Sequence, residues 1–473
     1  MTERAEVELG AEAATPDDIR RIAAGAPVVI AEAGLERVRA ARTVVERVLA
    51  SGESVYGLTT RLGAGRDERI EDLAAFQRQV VANHDGGAGD SLPEQAVRAI
   101  IASRLAVLLN GGAGVREELV QATAALLLDP PPVHRLGSVG AGDLTHLAAL
   151  LAAIGELGLV LAPHEAAAFL SANAATIGQA ALAVDELRGT VTAADTVVAL
   201  SLQALGAHGP AGSLSPYSAA VQAATGRTGS TRSAERIRAT LEGSFLEDAD
   251  RAVSVQDPLS LRTAPQVHGA ALDIADTIDR ELGIELAARP ENPVVDGDRM
   301  LSGGNFTAVG LAIAIESARL ALAHVAAASE RRTALLSAEL RTHRAAGRTL
   351  LPGLTWYAAA DALAEVRQLA APVSLGATVL SGVEDVASFA PAALRLLERS
   401  LQLTRTVLAV EALHAAELLA LADSPPTVSP ASEPLFEAVA SLRGGPTPDA
   451  VARASALLES LHASGVSVFS NRR

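Results

Sequence analysis

Apolar side chains fall three and four residues apart along most of this chain, the spacing of helices that bury one face. Residues 36–49 follow it with arginines on the opposite side. Residues 306–340 follow it so densely that more than one face is apolar until Glu330-Arg331-Arg332, and residues 394–421 are similar. A helix apolar nearly all round belongs in a large core or at an interface between chains. Start signals accompany the pattern. Thr15-Pro16-Asp17-Asp18 sets a hydroxyl cap before a proline and two acids, and Ser91-Leu92-Pro93-Glu94 opens a helix that runs past Arg104. Residues 448–461 read as a final helix. Strand signals are sparse, the best being residues 27–30 and 291–295. The pattern predicts a mainly all-α protein.

Glycine clusters at residues 57–65, 86–89, 111–114, 137–142 and 303–304 lie between these helices and read as loops that need unusual dihedrals or close backbone approach. The proline-rich residues 424–434 read as a surface loop. No internal repeat is visible. The simplest division is a loop-rich N-terminal part, residues 1–200, and a long-helix bundle with a C-terminal helical segment, residues 201–473.

Composition narrows the chemistry. The 473 residues are 49% hydrophobic but only 2% aromatic, so the core is built from Ala, Leu and Val, which suits closely approached helices. That length corresponds to roughly three domains of ordinary size, although helical assemblies often exceed it. All 39 cations are Arg. Without Lys there is no Schiff base, no lysine-held pyridoxal phosphate and no P-loop lysine. Without Cys there is no disulfide, thiolate nucleophile, cysteine zinc site or iron–sulfur cluster. The net charge of −16 argues against nucleic acid as a partner. The N-terminal residues lack the profile of a secretory leader. Charges interrupt the most apolar stretches, so none offers about 20 uncharged apolar residues. The expectation is a cytoplasmic protein with a small-molecule partner, no nucleic acid and no membrane. The ten His show no paired ligand spacing, and no metal site is expected.

Three segments carry candidate chemistry. Tyr56 stands in Val55-Tyr56-Gly57-Leu58-Thr59-Thr60-Arg61-Leu62-Gly63, in a chain with three Tyr. A phenol in a cleft can serve as general acid or base, and a loop tyrosine can equally pack against a helix. Residues 255–269 are dense in polar groups. Arg262 there can grip a carboxylate through parallel hydrogen bonds or belong to a salt-bridged surface loop. Gly137-Ser138-Val139-Gly140-Ala141-Gly142-Asp143-Leu144 ends at a helix start, which fits an anion site or a plain glycine turn.

The order of these segments resembles the aromatic amino-acid ammonia-lyase family, which includes histidine and phenylalanine ammonia-lyases and related aminomutases. Tyr56-Gly57-Leu58-Thr59-Thr60-Arg61-Leu62-Gly63 resembles its YGxNTGFG loop. Asn83-His84 through Leu92-Pro93-Glu94 resembles HxxGxGxxLP, and residues 137–144 resemble GSVGASGDL. Gln256-Asp257-Pro258-Leu259-Ser260-Leu261-Arg262 through Pro265-Gln266-Val267-His268-Gly269 resembles QDxYSLRxxPQVxG. Asn292-Pro293, Ser302-Gly303-Gly304-Asn305-Phe306, Glu330-Arg331-Arg332 and Glu384-Asp385 match later blocks. The resemblance implies a mainly helical homotetramer whose active sites draw on several subunits. It implies Tyr56 as catalytic base, Arg262 as carboxylate clamp, Asn173, Gln256, Asn305 and Phe306 lining the site, and His84 and Glu384 on the substrate side chain or amine.

Three departures follow from the same comparison. The family's electrophile, a methylidene-imidazolone, forms from Ala-Ser-Gly by cyclisation and dehydration of the Ser. Here Ala141 is followed directly by Gly142 and Asp143, so this cofactor loop lacks its Ser. Ser138 is followed by Val139 and cannot substitute. Leu259 stands at the position of a second catalytic Tyr. Arg61 replaces a Gly, which places a cation near Tyr56 and gives it an expected catalytic part, favouring phenolate. Without the electrophile the usual deamination faces a barrier several kcal/mol higher, at tenfold in rate per about 1.36 kcal/mol. The expectation is therefore a cofactor-independent lyase-type enzyme. It would catalyse elimination, conjugate addition, cyclisation or isomerisation of a carboxylate-bearing, amino-acid-like molecule, in specialised metabolism. The alternatives are a conventional ammonia-lyase or aminomutase whose cofactor residues are misrepresented in the written sequence, and a non-catalytic homologue.

Overall fold

The computed structural model describes residues 5–209, 212–248, 253–375, 382–424 and 426–463. It is 63% helix and 5% strand. The helix signals translate closely into elements. Thr15 supplies the predicted hydroxyl cap of the Pro16–Ala23 helix, and it exchanges hydrogen bonds with Asp18 in a reciprocal capping box. Helices Glu32–Ser51, Glu94–Leu108, Val309–Ala345, Ala390–Ala420 and Thr447–Ala463 occupy the predicted stretches. Two helices were not foreseen at their full length: Ala174–Gly206, with 33 residues, and Ala264–Ala287, with 24.

The strands form three two-stranded pairs. Val7–Leu9 lies parallel to Val28–Ile30, Ala88–Ser91 antiparallel to His134–Leu136, and Val294–Asp296 antiparallel to Arg299–Leu301. The glycine cluster at 86–89, read as a loop, thus contributes to an edge strand. The reverse correction holds at Leu259–Arg262, which was read as part of a loop and is a single helical turn after Pro258.

Contacts divide the chain into two compact units, each assembled from separate stretches, in place of one cut near residue 200. The first comprises Met1–Val184, Ile278–Ile315 and Pro372–Arg395. The second comprises Asp185–Thr277, Glu316–Ala371 and Leu396–Arg473. In the first unit Val44, Val45, Val48, Val55, Leu58 and Val295 form one cluster. The fully buried Arg104 and Glu291 pair at 3.0 Å. Small residues replace aromatics as the packing device. A Cβ added at Gly178 would stand 2.5 Å from the backbone of Ala99, so the Ala174–Gly206 and Glu94–Leu108 helices touch nearly backbone to backbone. The second unit packs Ala326, Ala359, Leu363, Val366, Val407 and Val410 together and buries its own pair, Arg332 and Glu411.

By length and composition, two helical stretches among the described residues could cross a membrane, Glu165–Gly206 and Val309–Ala345. The apolar window of the first is 89% buried within the structure and that of the second 61%, as in core helices.

Candidate active site

Tyr56 sits on a tight loop after the Glu32–Ser51 helix. The Thr59 hydroxyl accepts from the Val55 N–H at 2.8 Å and donates to the Glu53 carbonyl at 2.7 Å, while the Gly57 N–H donates to Thr60 O at 2.9 Å. Gly57 has to be glycine. Its φ is +69°, and an added Cβ would lie 2.8 Å from the Ala167 Cβ. The loop closes on itself when the Gly63 N–H donates to the Tyr56 phenol oxygen at 3.0 Å. The phenol proton keeps no acceptor among the described residues.

Tyr56 faces a cavity of about 310 Å³ in the first unit. Its polar wall holds Tyr56, His84, Ser171, Asn292 and Glu384. Its apolar wall includes Leu62, Ala141, Leu144, Leu170 and Phe306. His84 ends the Leu73–His84 helix, and its Nδ1 lies 2.7 Å from Val80 O. Since a carbonyl only accepts, Nδ1 carries a proton and donates to it. Glu384 is half-buried. Burial raises its pKa above the ordinary carboxylate value, and nearby His84 opposes that rise. The pair therefore offers an imidazole ring and a carboxyl whose burial favours its protonated form. Asn292 is fixed by accepting from the Gly303 N–H and the Ser302 hydroxyl, both at 3.1 Å.

The loop of residues 137–143 supplies another part of the wall. Gly140 and Gly142 both have positive φ, +86° and +72°. The Gly142 N–H donates to Phe306 O at 3.3 Å, and the Asp143 N–H to Ala172 O at 2.7 Å. The Asp143 carboxylate accepts from the Thr176 N–H at 2.6 Å and the Thr176 hydroxyl at 3.1 Å, near the start of the Ala174–Gly206 helix. Complete burial nevertheless pushes its pKa up to about 6. From the other side, the Ser388 hydroxyl donates to Gly140 O at 3.0 Å and the Phe389 N–H to Val139 O at 2.8 Å. This latches the segment carrying Glu384 onto the loop.

In this loop Gly142 follows Ala141 directly, with no serine between them. Position 140 itself admits no side chain, because an ideal Cβ there would lie 2.1 Å from Ser388 Oγ.

Tyr56, His84, Phe306, Glu384 and Ala141 thus share one cavity, whereas other expected residues lie elsewhere. Arg61 pairs with Glu68 at 3.6 Å and is absent from the cavity wall, so the cation expected beside the phenol is engaged by a carboxylate. Asn305 is exposed, its amide donating to Arg289 O at 3.3 Å. Asn173 is buried with both polar side-chain atoms unpartnered, and Ser171, two residues earlier, lines the cavity instead. Gln256 is exposed in the second unit. Arg262 lies there too, in a depression of about 320 Å³ with Ser215, Pro216, Val221, Thr263 and Gln266. Leu259 is 60% exposed. Sequence reasoning missed Ser171 and Asn292. The Asn292-Pro293 pair was visible as a motif, but nothing in the sequence tied it to the Tyr56 loop.

The chain is similar to known proteins in sequence and in fold. A sequence profile of the family described as "Aromatic amino acid lyase" matches residues 14–159 and 150–441. The chain is 33% identical over 460 residues to histidine ammonia-lyase from Anaeromyxobacter dehalogenans, covering 87% of this chain and 90% of that one. It is 34% identical over 476 residues to histidine ammonia-lyase from Paracidovorax citrulli, covering 90% and 89%. Among solved structures, the fold is similar to that of the ergothioneine-degrading enzyme of Treponema denticola. The TM-score is 0.88 at 24% identity, over 96% of this chain and 99% of that one. It is also similar to the tyrosine aminomutase of Streptomyces globisporus, with a TM-score of 0.87 at 24% identity over 99% and 100%. The helical architecture, the order of the motifs and these matches together establish that the chain belongs to the aromatic amino acid lyase family.

Proposed function

We propose that the protein is an enzyme of the lyase type. In this reading it acts on a carboxylate-bearing, amino-acid-like molecule through acid–base chemistry at Tyr56, without a methylidene-imidazolone. The observation that carries the reading is the shared cavity of Tyr56, His84 and Glu384, walled by a loop in which Ala141 meets Gly142 directly. Tyr56, acting as the general base, takes the proton from a carbon that the substrate itself acidifies. The C–H electron pair becomes a C=C bond, and the leaving group departs with the pair of its own bond, protonated by the Glu384 carboxyl. Arg262 holds the carboxylate. Its Nε donates to Asp257 O at 3.1 Å, and its terminal nitrogens have no partner among the described residues. A cavity that keeps these polar groups open favours catalysis over a scaffold role.

Arg262 reaches a substrate beside Tyr56 in a homotetramer, supplied by a second copy. Support comes from exposed apolar residues along one helix, with Val309 46%, Ile313 56% and Leu320 54% exposed. Light scattering on the purified protein reads the assembly directly.

The test pairs Tyr56→Phe and Arg262→Ala with a panel of amino acids and their 2-enoate products. Loss of turnover in both variants is expected, and wild-type rates in both would sink the reading. The conventional reading, a histidine ammonia-lyase, is favoured by the names of the relatives at 33–34% identity. An intact mass short of the encoded chain by two waters, with release of urocanate from histidine, would establish that reading instead.

A further inference from the structure

The turn that carries Arg262 is held from behind by buried side chains. Arg332 and Glu411 are both fully buried. Arg332 Nε and Nη2 donate to the two Glu411 oxygens at 2.6 and 2.9 Å, and its remaining Nη1 donates to Ser260 O at 3.0 Å. The Ser201 hydroxyl donates to Glu411 Oε1 at 2.7 Å. Tyr217, 1% exposed, donates its phenol proton to Leu261 O at 2.8 Å. Two consecutive carbonyls of the four-residue turn Leu259–Arg262 therefore each receive a buried side-chain donor. On the N-terminal side, the Ser213 N–H donates to Asp257 Oδ2 at 2.7 Å, and Asp257 O accepts from Arg262 Nε.

A buried ion pair is a poor way to stabilise a core, because apolar side chains of similar volume do as well or better. A tyrosine hydroxyl likewise has to be satisfied once buried. Here the pair and the phenol converge on one short turn, otherwise closed by N–H donors to Pro258 O and Leu259 O, by the Thr263 hydroxyl on Leu259 O and by Arg262 Nε on Asp257 O. Arg262, at its end, lines an open depression.

We propose that Tyr217 and the Arg332–Glu411 pair are positioning residues that aim Arg262 at the carboxylate of the ligand; this rests on the reading of Arg262 as the carboxylate clamp. The fixed carbonyls set the direction of the Arg262 Cα–Cβ bond, so a bidentate contact costs little further ordering.

The experiment measures binding of trans-cinnamate and trans-urocanate to the full chain, each against its uncharged carboxamide. The ratio of affinities isolates the contact to the carboxylate, and a merely structural defect weakens acid and amide alike. Arg262→Ala is expected to reduce the ratio by about 10- to 100-fold. Tyr217→Phe keeps the packing and removes one donor, and should reduce it roughly three- to tenfold. Glu411→Gln should reduce it at least as much, and Tyr217→Phe decides alone if that variant fails to fold. Undiminished discrimination in Tyr217→Phe and in any folded Glu411→Gln, beside a loss in Arg262→Ala, overturns the positioning role. Undiminished discrimination in Arg262→Ala, or none in the unaltered protein, overturns the clamp reading itself.

Discussion

Gly140→Ala tests how Ser388 packs against the loop of residues 137–143. At φ +86° an alanine is in the left-handed region, which costs roughly 1–2 kcal/mol. Its Cβ would also lie 2.1 Å from Ser388 Oγ and 3.1 Å from the Phe389 nitrogen. The Ser388 hydroxyl must then swing away and abandon Gly140 O, leaving a buried hydroxyl unsatisfied at about 1–3 kcal/mol. The expected loss is about 3 kcal/mol, a fall of roughly 6–12 °C in Tm for a unit of this size. Ser388→Ala alone removes one hydrogen bond and should cost about 1 kcal/mol. The double variant should cost only about 2–3 kcal/mol, about 1 for the lost hydrogen bond and about 1–2 for the backbone strain, because the hydroxyl that collides is already gone. Calorimetry or urea denaturation of the four proteins reads this cycle. An additive cycle, with the double variant near 4 kcal/mol, would show that Ser388 does not occupy that space.

Three further outcomes are expected. Asp143 has a folded pKa of about 6 against an ordinary value of 3.8, so its contribution is least unfavourable below pH 4 and worsens as pH rises through 6. Asp143→Asn should therefore gain about 3 kcal/mol relative to the parent between pH 4 and 7 in urea denaturation, and a pH-independent difference would refute the shift. His146, His164 and His414 are each held down at about 4 by burial. Since the unfolded chain binds their protons from pH 6.5, stability should fall as pH drops from 6.5 toward 4, by up to about 3 kcal/mol for each. His414→Gln should remove one share of that slope, which denaturation across this range detects. Finally, Arg104→Met strands the buried Glu291 and should cost about 3–5 kcal/mol, while Arg104→Met with Glu291→Leu should recover most of it. Because Arg104 also donates to Ala168 O, between the cavity residues Ala167 and Leu170, the single variant should weaken ligand binding as well as lower Tm.

The helices were legible because their signals are local. A cap, a proline and acids at Thr15-Pro16-Asp17-Asp18 fix a helix start whatever surrounds it, and Glu94 follows Pro93 for the same reason. The single turn Leu259–Arg262 was not legible, since its carbonyl partners lie on Tyr217 and Arg332, 44 and 72 residues away from them. The strand at Ala88–Ser91 was hidden for a similar reason. Glycine gives no strand signal, and pairing with His134–Leu136 is what extends it.

Sequence alone determined the chemistry available to this protein. It has no Lys, no Cys, three Tyr and a loop in which Gly142 follows Ala141 directly, and these are matters of which atoms exist. It also determined the family, through motifs whose order is itself a string of letters. Only the tertiary structure decided which of those motifs meet. It brought Tyr56, His84, Ser171, Asn292, Phe306 and Glu384 around one cavity, turned Arg61 to Glu68, buried Asn173 and placed Arg262 in the other unit. The physical reason is that a side chain's local spacing sets its face on a helix or turn, while its neighbours across hundreds of residues are set by how whole helices pack. Here packing rests on small residues such as Gly178, and no local pattern announces which partner fits against them.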